Sequence, residues 1–202
     1  MSTDSEDKIF TKCLELFFKF GLKCISVDDI CNQIGISKKT FYQHFKNKND
    51  VVKKIAWDFI KKNAATNREI IENDKSILEK IFMIYENILK QFHSCTPRFI
   101  YDIKKYHPDI YELFAEFKDK ELNYAITELI KQGKKEGVFR DEIDEEIICR
   151  LHLHKIDTII NGSLLPEKNI TDPYFLEVMT MSLIGISTLK GHEKIQQKLN
   201  II

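Results

Sequence analysis

The chain contains 202 residues, of which 31 are basic and 31 acidic, so it carries no net charge when its six histidines are neutral. This balance excludes a globally basic nucleic-acid binder, although a local basic patch is enough for contact with phosphates. No apolar run approaches the roughly 20 residues that a bilayer-spanning helix requires, and the polar, acidic N-terminus is unlike a secretory signal. A cytoplasmic protein without a membrane partner is therefore expected.

A first helix is predicted over residues 8–20. Its apolar side chains recur with the helical period at Ile9, Phe10, Cys13, Leu14, Phe17 and Phe18. Gly21 follows at the position where a glycine commonly ends a helix. This helix would cover the apolar side of the segment that comes next.

Residues 26–48, with the sequence SVDDICNQIGISKKTFYQHFKNK, predict two short helices joined by a tight turn. Ser26 can cap the first helix, with Asp29 three residues later in a capping-box arrangement. Gly35 can adopt the left-handed conformation that such a turn often needs, and Ser37 can cap the second helix. This layout is typical of a DNA-binding helix-turn-helix.

The second helix of the motif has one buried and one outward face. Phe41 and Phe45 are spaced four residues apart and would anchor the buried face. The side chains left to face outward are Lys38, Lys39, Thr40, Tyr42, Gln43 and His44. Residues 38–54 hold six lysines and a single acid, so this stretch supplies the local basic patch that contact with DNA requires.

The stretch FGLKCISVDDICNQIGISKKTFYQHFKNKNDV, residues 20–51, resembles the N-terminal signature of the tetracycline-repressor (TetR) family in its spacing, glycines, aromatic anchors and trailing lysine. The resemblance implies an all-α fold, with a three-helix helix-turn-helix domain over residues 1–47. A helical-bundle domain for ligand binding and dimerisation would follow over residues 48–202. It also implies a homodimer that binds double-stranded operator DNA and a small-molecule effector, with no cofactor.

The resemblance assigns roles within the motif. Thr40, Tyr42 and Lys48 would contact phosphates. Ser26 would add its hydroxyl or the backbone N–H groups of its helix end. The candidates for reading base edges are Lys38, Lys39, Gln43 and His44, since lysine suits guanine and glutamine suits adenine. The family often has a small residue at the position of Lys39, so which lysine reads a base stays open, and His44 could contact DNA or simply pack.

Beyond the motif the sequence predicts helices and no strand. A fourth helix begins near Asp50, and an apolar stripe marks a fifth over residues 75–93. A short helix starts at Pro97, where proline suits the first helical position. A long helix is then predicted from residue 109 to about residue 136.

Two further helices are predicted, from Asp141 or Asp144 to near Gly162 and over residues 172–189, with a loop over residues 163–172 between them. The last helix is apolar on most of its circumference, which requires burial on more than one side. We therefore expect these two helices to pack against the same helices of a second subunit. The candidate interface residues are Leu151, Ile156, Ile159, Met179, Leu183 and Ile186. The alternative is a core helix of a monomer.

Aromatic side chains in the C-terminal part are candidates for a ligand pocket: Phe82, Tyr85, Phe92, Phe99, Tyr106, Phe114, Phe117 and Tyr124. Aromatic residues at helical spacing also form ordinary cores, and the sequence does not separate the two. A pocket with many rings and few buried charges favours a lipophilic or aromatic effector. His93, Arg98 and His152 are candidate polar anchors for it.

The sequence contains no motif of a catalytic or metal-binding site, such as a phosphate-binding loop, a dinucleotide fingerprint or a metalloprotease motif. The five cysteines are scattered, which favours buried, reduced thiols over redox sensing. We therefore expect a DNA-binding transcriptional regulator, as a ligand-released repressor that binds an inverted-repeat operator as a homodimer. The alternatives are a helix-turn-helix used for protein interaction and a helical enzyme.

Overall fold

The computed structural model describes residues 2–94, 97–160 and 172–199, and these residues form helices and no strand. The first helices are α1 (Ser2–Phe20), α2 (Val27–Ile34), α3 (Lys38–His44), α4 (Lys48–Glu72) and α5 (Ile77–Ser94). The chain continues through α6 (Pro97–Tyr106), α7 (Pro108–Phe117), α8 (Asn123–Lys135), α9 (Glu145–Ile160), α10 (Asp172–Ile186) and α11 (Leu189–Leu199). The predicted all-α fold is confirmed.

Two of the predicted helices are divided in the structure. The helix predicted over residues 109–136 consists of α7 and α8, joined by a π-helical turn at Lys118–Leu122. The helix predicted over residues 172–189 ends at Ile186, and α11, which was not predicted, follows it. The loop predicted over residues 163–172 lies outside the described residues, apart from Asp172.

The break between α10 and α11 has a tertiary cause. The Arg140 N–H donates to the Ile186 carbonyl at 3.0 Å, and the Thr188 N–H donates to the Val138 carbonyl at 3.0 Å. A Cβ atom on Gly191 would lie 2.0 Å from the Val138 oxygen, so glycine permits this close approach. These contacts come from a distant part of the chain, which is why the apolar pattern of α10 alone did not predict the break.

The helices form two compact units, and the first comprises residues 1–63 and 91–117. It contains the helix-turn-helix, and its core also takes in side chains of α6 and α7. The core includes Ile9, Cys13, Phe17, Ile30, Phe41, Phe45, Val51, Ile55, Phe99, Ile103 and Ile110. Whether residues 1–47 form a domain of their own stays a prediction.

The second unit comprises residues 64–90 and 118–202. Its core includes Ile77, Phe82, Tyr85, Leu129, Phe139, Ile156, Phe175, Met179 and Leu183. The buried ammonium group of Lys80 donates to the Ile71 carbonyl at 2.8 Å and to Gln132 Oε1 at 3.0 Å. Lys80 thereby satisfies a carbonyl in the last turn of α4, where helices lack backbone partners, and ties α4 to α5 and α8.

Candidate DNA-binding surface and internal cavity

The start of α2 has the capping box that the sequence predicts. The Asp29 N–H donates to Ser26 Oγ at 3.1 Å, and the Ser26 N–H donates to Asp29 Oδ2 at 2.8 Å. The Ser26 hydroxyl also donates to Asp29 at 2.6 Å, and these bonds hold the pKa of the Asp29 carboxyl below its usual range. The first turn of α2 is thus fixed while Ser26 stays exposed.

The turn between α2 and α3 follows from two residues. Gly35 has a φ of +70°, which is the left-handed conformation expected of it. Ser37 accepts the Thr40 N–H at 3.0 Å and caps α3, and its hydroxyl also pairs with the Thr40 hydroxyl at 2.9 Å. The entry into α3 is therefore held by hydrogen bonds on its own first turn.

Helix α3 is anchored on one side and open on the other. Phe41 and Phe45 are buried, with ring centroids 5.8 Å apart. Tyr42 lies edge-on against Phe41, and 52% of it is exposed. Among the other predicted outward residues, Lys38, Lys39 and Gln43 are exposed, while Thr40 and His44 are half-buried. The face that the sequence predicts for contact with DNA is available to solvent.

Several lysines of the basic patch have partners within the first unit. Lys38 forms a 2.7 Å ion pair with Asp28, which raises the pKa of Lys38. Lys53 pairs with Asp109 at 2.7 Å, and Lys54 pairs with Glu6. Lys39 and Lys46 are exposed, and neither forms an ion pair within the part of the chain that the structure describes. The count of lysines in the sequence therefore overstates the unpaired positive charge.

Lys48, the third predicted phosphate contact, is not free in this structure. Its ammonium group donates to the Leu22 carbonyl and lies 5.4 Å from the Phe17 ring centroid. Burial lowers its pKa. Lys48 joins the start of α4 to the turn after α1, and a phosphate contact would require it to leave the Leu22 carbonyl. Its predicted role stays a prediction.

The second unit encloses a cavity between α5, α8, α9 and α10. Aliphatic side chains such as Ile81, Leu129 and Ile156 form most of its wall, and the space amounts to about 550 Å³, including the part that opens to solvent. Tyr85 and His152 also line it. The cavity is thus a site lined almost entirely by apolar side chains, as the sites of small molecules commonly are.

Tyr85 and His152 form a buried hydrogen-bonded pair. The Tyr85 hydroxyl lies 2.7 Å from His152 Nε2, and the two rings are stacked with centroids 5.8 Å apart. Burial lowers the pKa of His152 to about 4, with a further contribution from the positive charge of Lys155. Burial also raises the pKa of Tyr85. Both side chains are therefore neutral at pH 7.

Comparison with known proteins identifies the family. Residues 9–55 match the family model described as bacterial regulatory proteins, tetR family. The transcriptional repressor KstR2 of Rhodococcus jostii is 30% identical over 142 residues, which span 67% of this chain and 68% of the repressor. The chain belongs to the TetR family. As a member of that family it is a DNA-binding transcriptional regulator and not an enzyme.

Solved structures of the TetR family share the fold of this regulator. A TetR-family regulator from Agrobacterium tumefaciens superposes with a TM-score of 0.73 at 17% identity, over 93% of this chain and 100% of the other. The ketosteroid transcriptional regulator KstR2 of Mycobacterium tuberculosis superposes with a TM-score of 0.59 at 21% identity, over 91% and 95% of the two chains. Within the described ranges, none of the helices of this TetR-family chain is long and apolar enough to cross a membrane.

The predicted pocket aromatics of this TetR-family regulator are dispersed, and among those whose side chains the structure describes, Tyr85 alone lines the cavity. Phe99 and Phe114 instead pack in the first unit, against Phe18 at 4.7 Å and Phe59 at 5.8 Å between ring centroids. Of the others, Phe82 is buried in the core of the second unit, Phe117 is half-buried, and Tyr106 and Tyr124 are exposed. The side chain of Phe92 lies outside the described residues. Helical spacing predicted that these aromatic residues lie on apolar helix faces, but not which residues they pack against.

The polar anchors are likewise separated. His152 lines the cavity, whereas His93 is exposed in the first unit. The side chain of Arg98 lies outside the described residues.

The cysteines that the structure describes as buried are Cys13, Cys31 and Cys149, and burial raises the pKa of each thiol, that of Cys13 to about 12.

The candidate interface residues differ in their exposure. Ile156, Ile159, Met179, Leu183 and Ile186 are buried within the second unit of a single chain, so they already have apolar partners without a second subunit. Leu151 is 59% exposed. Ile147 and Met181, which were not among the candidate interface residues, are 57% and 67% exposed. The i, i+4 spacing of Ile147 and Leu151 was the signal that could have identified this face.

The buried His152 predicts an acid-sensitive stability. Its pKa is about 4 in the folded chain against 6.5 as the ordinary value, so between these pH values the unfolded chain binds more protons than the folded one. The free energy of unfolding should therefore decrease as the pH falls from about 6.5 to about 4, by up to roughly 3 kcal/mol from this group. Urea denaturation at a series of pH values measures this.

Two matched variants separate the contribution of His152 to the pH dependence of stability from that of the carboxylates. His152→Gln keeps a partner for Tyr85 but cannot titrate, so its stability should depend less steeply on pH across that window. His154→Gln, two residues later and exposed on the same helix, should behave like the unaltered chain. Equal pH dependence in all three proteins would contradict the assignment.

Proposed function

We propose that this regulator is a repressor that binds an inverted-repeat operator as a homodimer and leaves it when a lipophilic effector occupies the cavity. The observation that carries the proposal is the open face of α3, fixed by the burial of Phe41 and Phe45 on the opposite side. The similarity to curated repressors supports repression as the sign of regulation.

In this proposal α3 enters the major groove as a recognition helix. Lys39 and Gln43 are exposed and reach base edges, with lysine directed to guanine and glutamine to adenine. Lys38 does so by exchanging its ion pair with Asp28 for a contact with DNA. His44 is half-buried beside these residues and completes the set of base-reading candidates.

Phosphate contacts would position this helix without reading sequence. Tyr42 offers an exposed hydroxyl, and Thr40 offers the hydroxyl that now pairs with Ser37. Ser26 lies at the exposed start of α2, where the positive end of the helix dipole favours anions. Lys48 joins this set once it exchanges the Leu22 carbonyl for a phosphate.

The exposed apolar residues of α9 and α10 support dimerisation. Ile147, Leu151 and Met181 are each more than half exposed in a single chain. A Cβ atom on Gly185 would meet no atom within 4 Å, so this part of α10 leaves room for a helix to approach closely. A second copy would remove this apolar surface from water, and a two-fold arrangement would place two recognition helices one turn of DNA apart, about 34–36 Å.

The dimer can be tested by placing a charge on this face. Leu151→Glu should convert the dimer to a monomer, because a carboxylate buried in an apolar interface has no partner there. Tyr101→Glu changes a similarly exposed residue of α6 (54%) and should leave the dimer intact. Sedimentation equilibrium measures both, and a dimer of Leu151→Glu with unchanged affinity would refute this interface.

The roles within α3 can be separated by a matched pair of variants. Gln43→Ala should relax the preference at particular base pairs, by about 1–3 kcal/mol for a good bidentate contact. Tyr42→Phe removes one hydroxyl and keeps the ring on Phe41, so it should weaken binding to all sequences about equally. Selection from a random DNA library, followed by affinity measurements at fixed salt, tests both.

The unaltered chain provides the reference for that selection, and an inverted repeat should emerge from it. If no palindromic sequence is enriched, the proposed operator is wrong. If Gln43→Ala enriches the same sequences with the same preference at each base pair, Gln43 is not a base reader.

A further inference from the structure

Few polar side chains line the cavity in the second unit. Among its described lining residues, Tyr85 and His152 are the ones with polar side chains, and none of the lining residues is charged. The rest of the wall is mainly aliphatic and comes from α5, α8, α9 and α10. Any polar group of a molecule held here must find its partner in this pair or on the backbone.

The Tyr85–His152 pair retains hydrogen-bonding capacity. A hydroxyl has one donor and two acceptor sites, and a neutral imidazole donates from one nitrogen and accepts at the other. The bond between Tyr85 and His152, at 2.7 Å, uses one of the hydroxyl's three sites. If His152 Nε2 donates to Tyr85, the Tyr85 hydrogen is available to a carbonyl. If Tyr85 donates to Nε2, its oxygen can accept from a hydroxyl.

The same pair has no charge that could neutralise a charged group of a ligand. Both side chains are neutral at pH 7, because burial opposes the imidazolium and the phenolate. A carboxylate or ammonium in the cavity would be desolvated without a counter-charge, which is far more costly than burying a hydroxyl that finds a hydrogen bond. The lining therefore discriminates against charged ligands.

We propose that the cavity binds an uncharged aliphatic or alicyclic molecule whose single hydroxyl or carbonyl group hydrogen-bonds to the Tyr85–His152 pair. This inference rests on the proposed function, since it names the chemical class of the effector. The hydrocarbon part lies among side chains such as Ile81, Ile88, Leu129 and Ile156. The hydroxyl or carbonyl fixes its orientation.

Four probes of similar length test the proposal on the full chain without DNA: octanol, methyl hexyl ketone, octanoate and octylammonium. Isothermal titration calorimetry at pH 7.5 should show that octanol and the ketone bind at least about tenfold more tightly than either ion, because the ions lack a counter-charge in the cavity. An ion that binds as tightly as octanol would overturn the proposal. Failure of both neutral probes to bind would also overturn it.

Two variants locate the polar group of the probe. Tyr85→Phe keeps the ring and removes the hydroxyl, so it should weaken the binding of octanol about fivefold, the effect of losing a neutral hydrogen bond. Ile88→Val trims the aliphatic wall and should weaken the four probes by a similar, smaller factor. Unchanged octanol affinity in Tyr85→Phe would place the hydroxyl elsewhere and overturn the assignment.

The calorimetric result does not depend on whether the chain binds an operator. Operator affinity is measured separately by bandshift, with and without octanol. If octanol binds as expected and operator binding is unaffected, the ligand class holds and the effector role in the proposed function fails. If the chain binds no operator, the proposed function fails while the calorimetric result still decides the ligand class.

Discussion

The burial of Phe41 and Phe45 is the constraint on which the DNA-binding surface depends. Both side chains belong to one core with residues of α1, α2 and α4. Because they are spaced four residues apart on a short helix, their burial determines which side of α3 faces water. The left-handed Gly35 and the capping residue Ser37 then fix where α3 begins. Loss of this anchoring would therefore remove the whole DNA-binding surface, whereas loss of an outward side chain would remove one contact.

Local sequence rules predicted the motif well because its determinants are local. The capping serines, Gly35 and the paired phenylalanines act within one or two helical turns, and the structure has each as predicted. The rules failed where the partner is distant in sequence. The ion pair of Lys38 with Asp28 and the bond from Lys48 to the Leu22 carbonyl join different elements, and no periodicity indicates them.

The same distinction explains the cavity and the dimer face. Helical periodicity predicts that Phe99, Phe114, Ile156 and Met179 lie on inward helix faces, but not which residues they pack against. Phe99 and Phe114 pack in the core that contains the helix-turn-helix. Ile156 and Met179 are buried within a single chain. The spacing of Ile147 and Leu151 indicates an apolar stripe on α9, but the exposure of that stripe follows from which side of the helix packs into the core.

Two features give the regulator its proposed function: an open recognition helix in one unit and an apolar cavity with a neutral polar pair in the other. Coupling between them requires that an occupant of the cavity and operator DNA favour different states of the chain. By linkage, each must then weaken the binding of the other by the same factor.

The most direct measurement is the affinity of a neutral probe such as octanol for the chain alone and for the chain saturated with operator. We expect weaker binding in the presence of operator, by a factor of about 5 to 150 for typical coupling energies. Identical affinities in the two titrations would contradict the account, because the cavity would then have no influence on the binding of DNA.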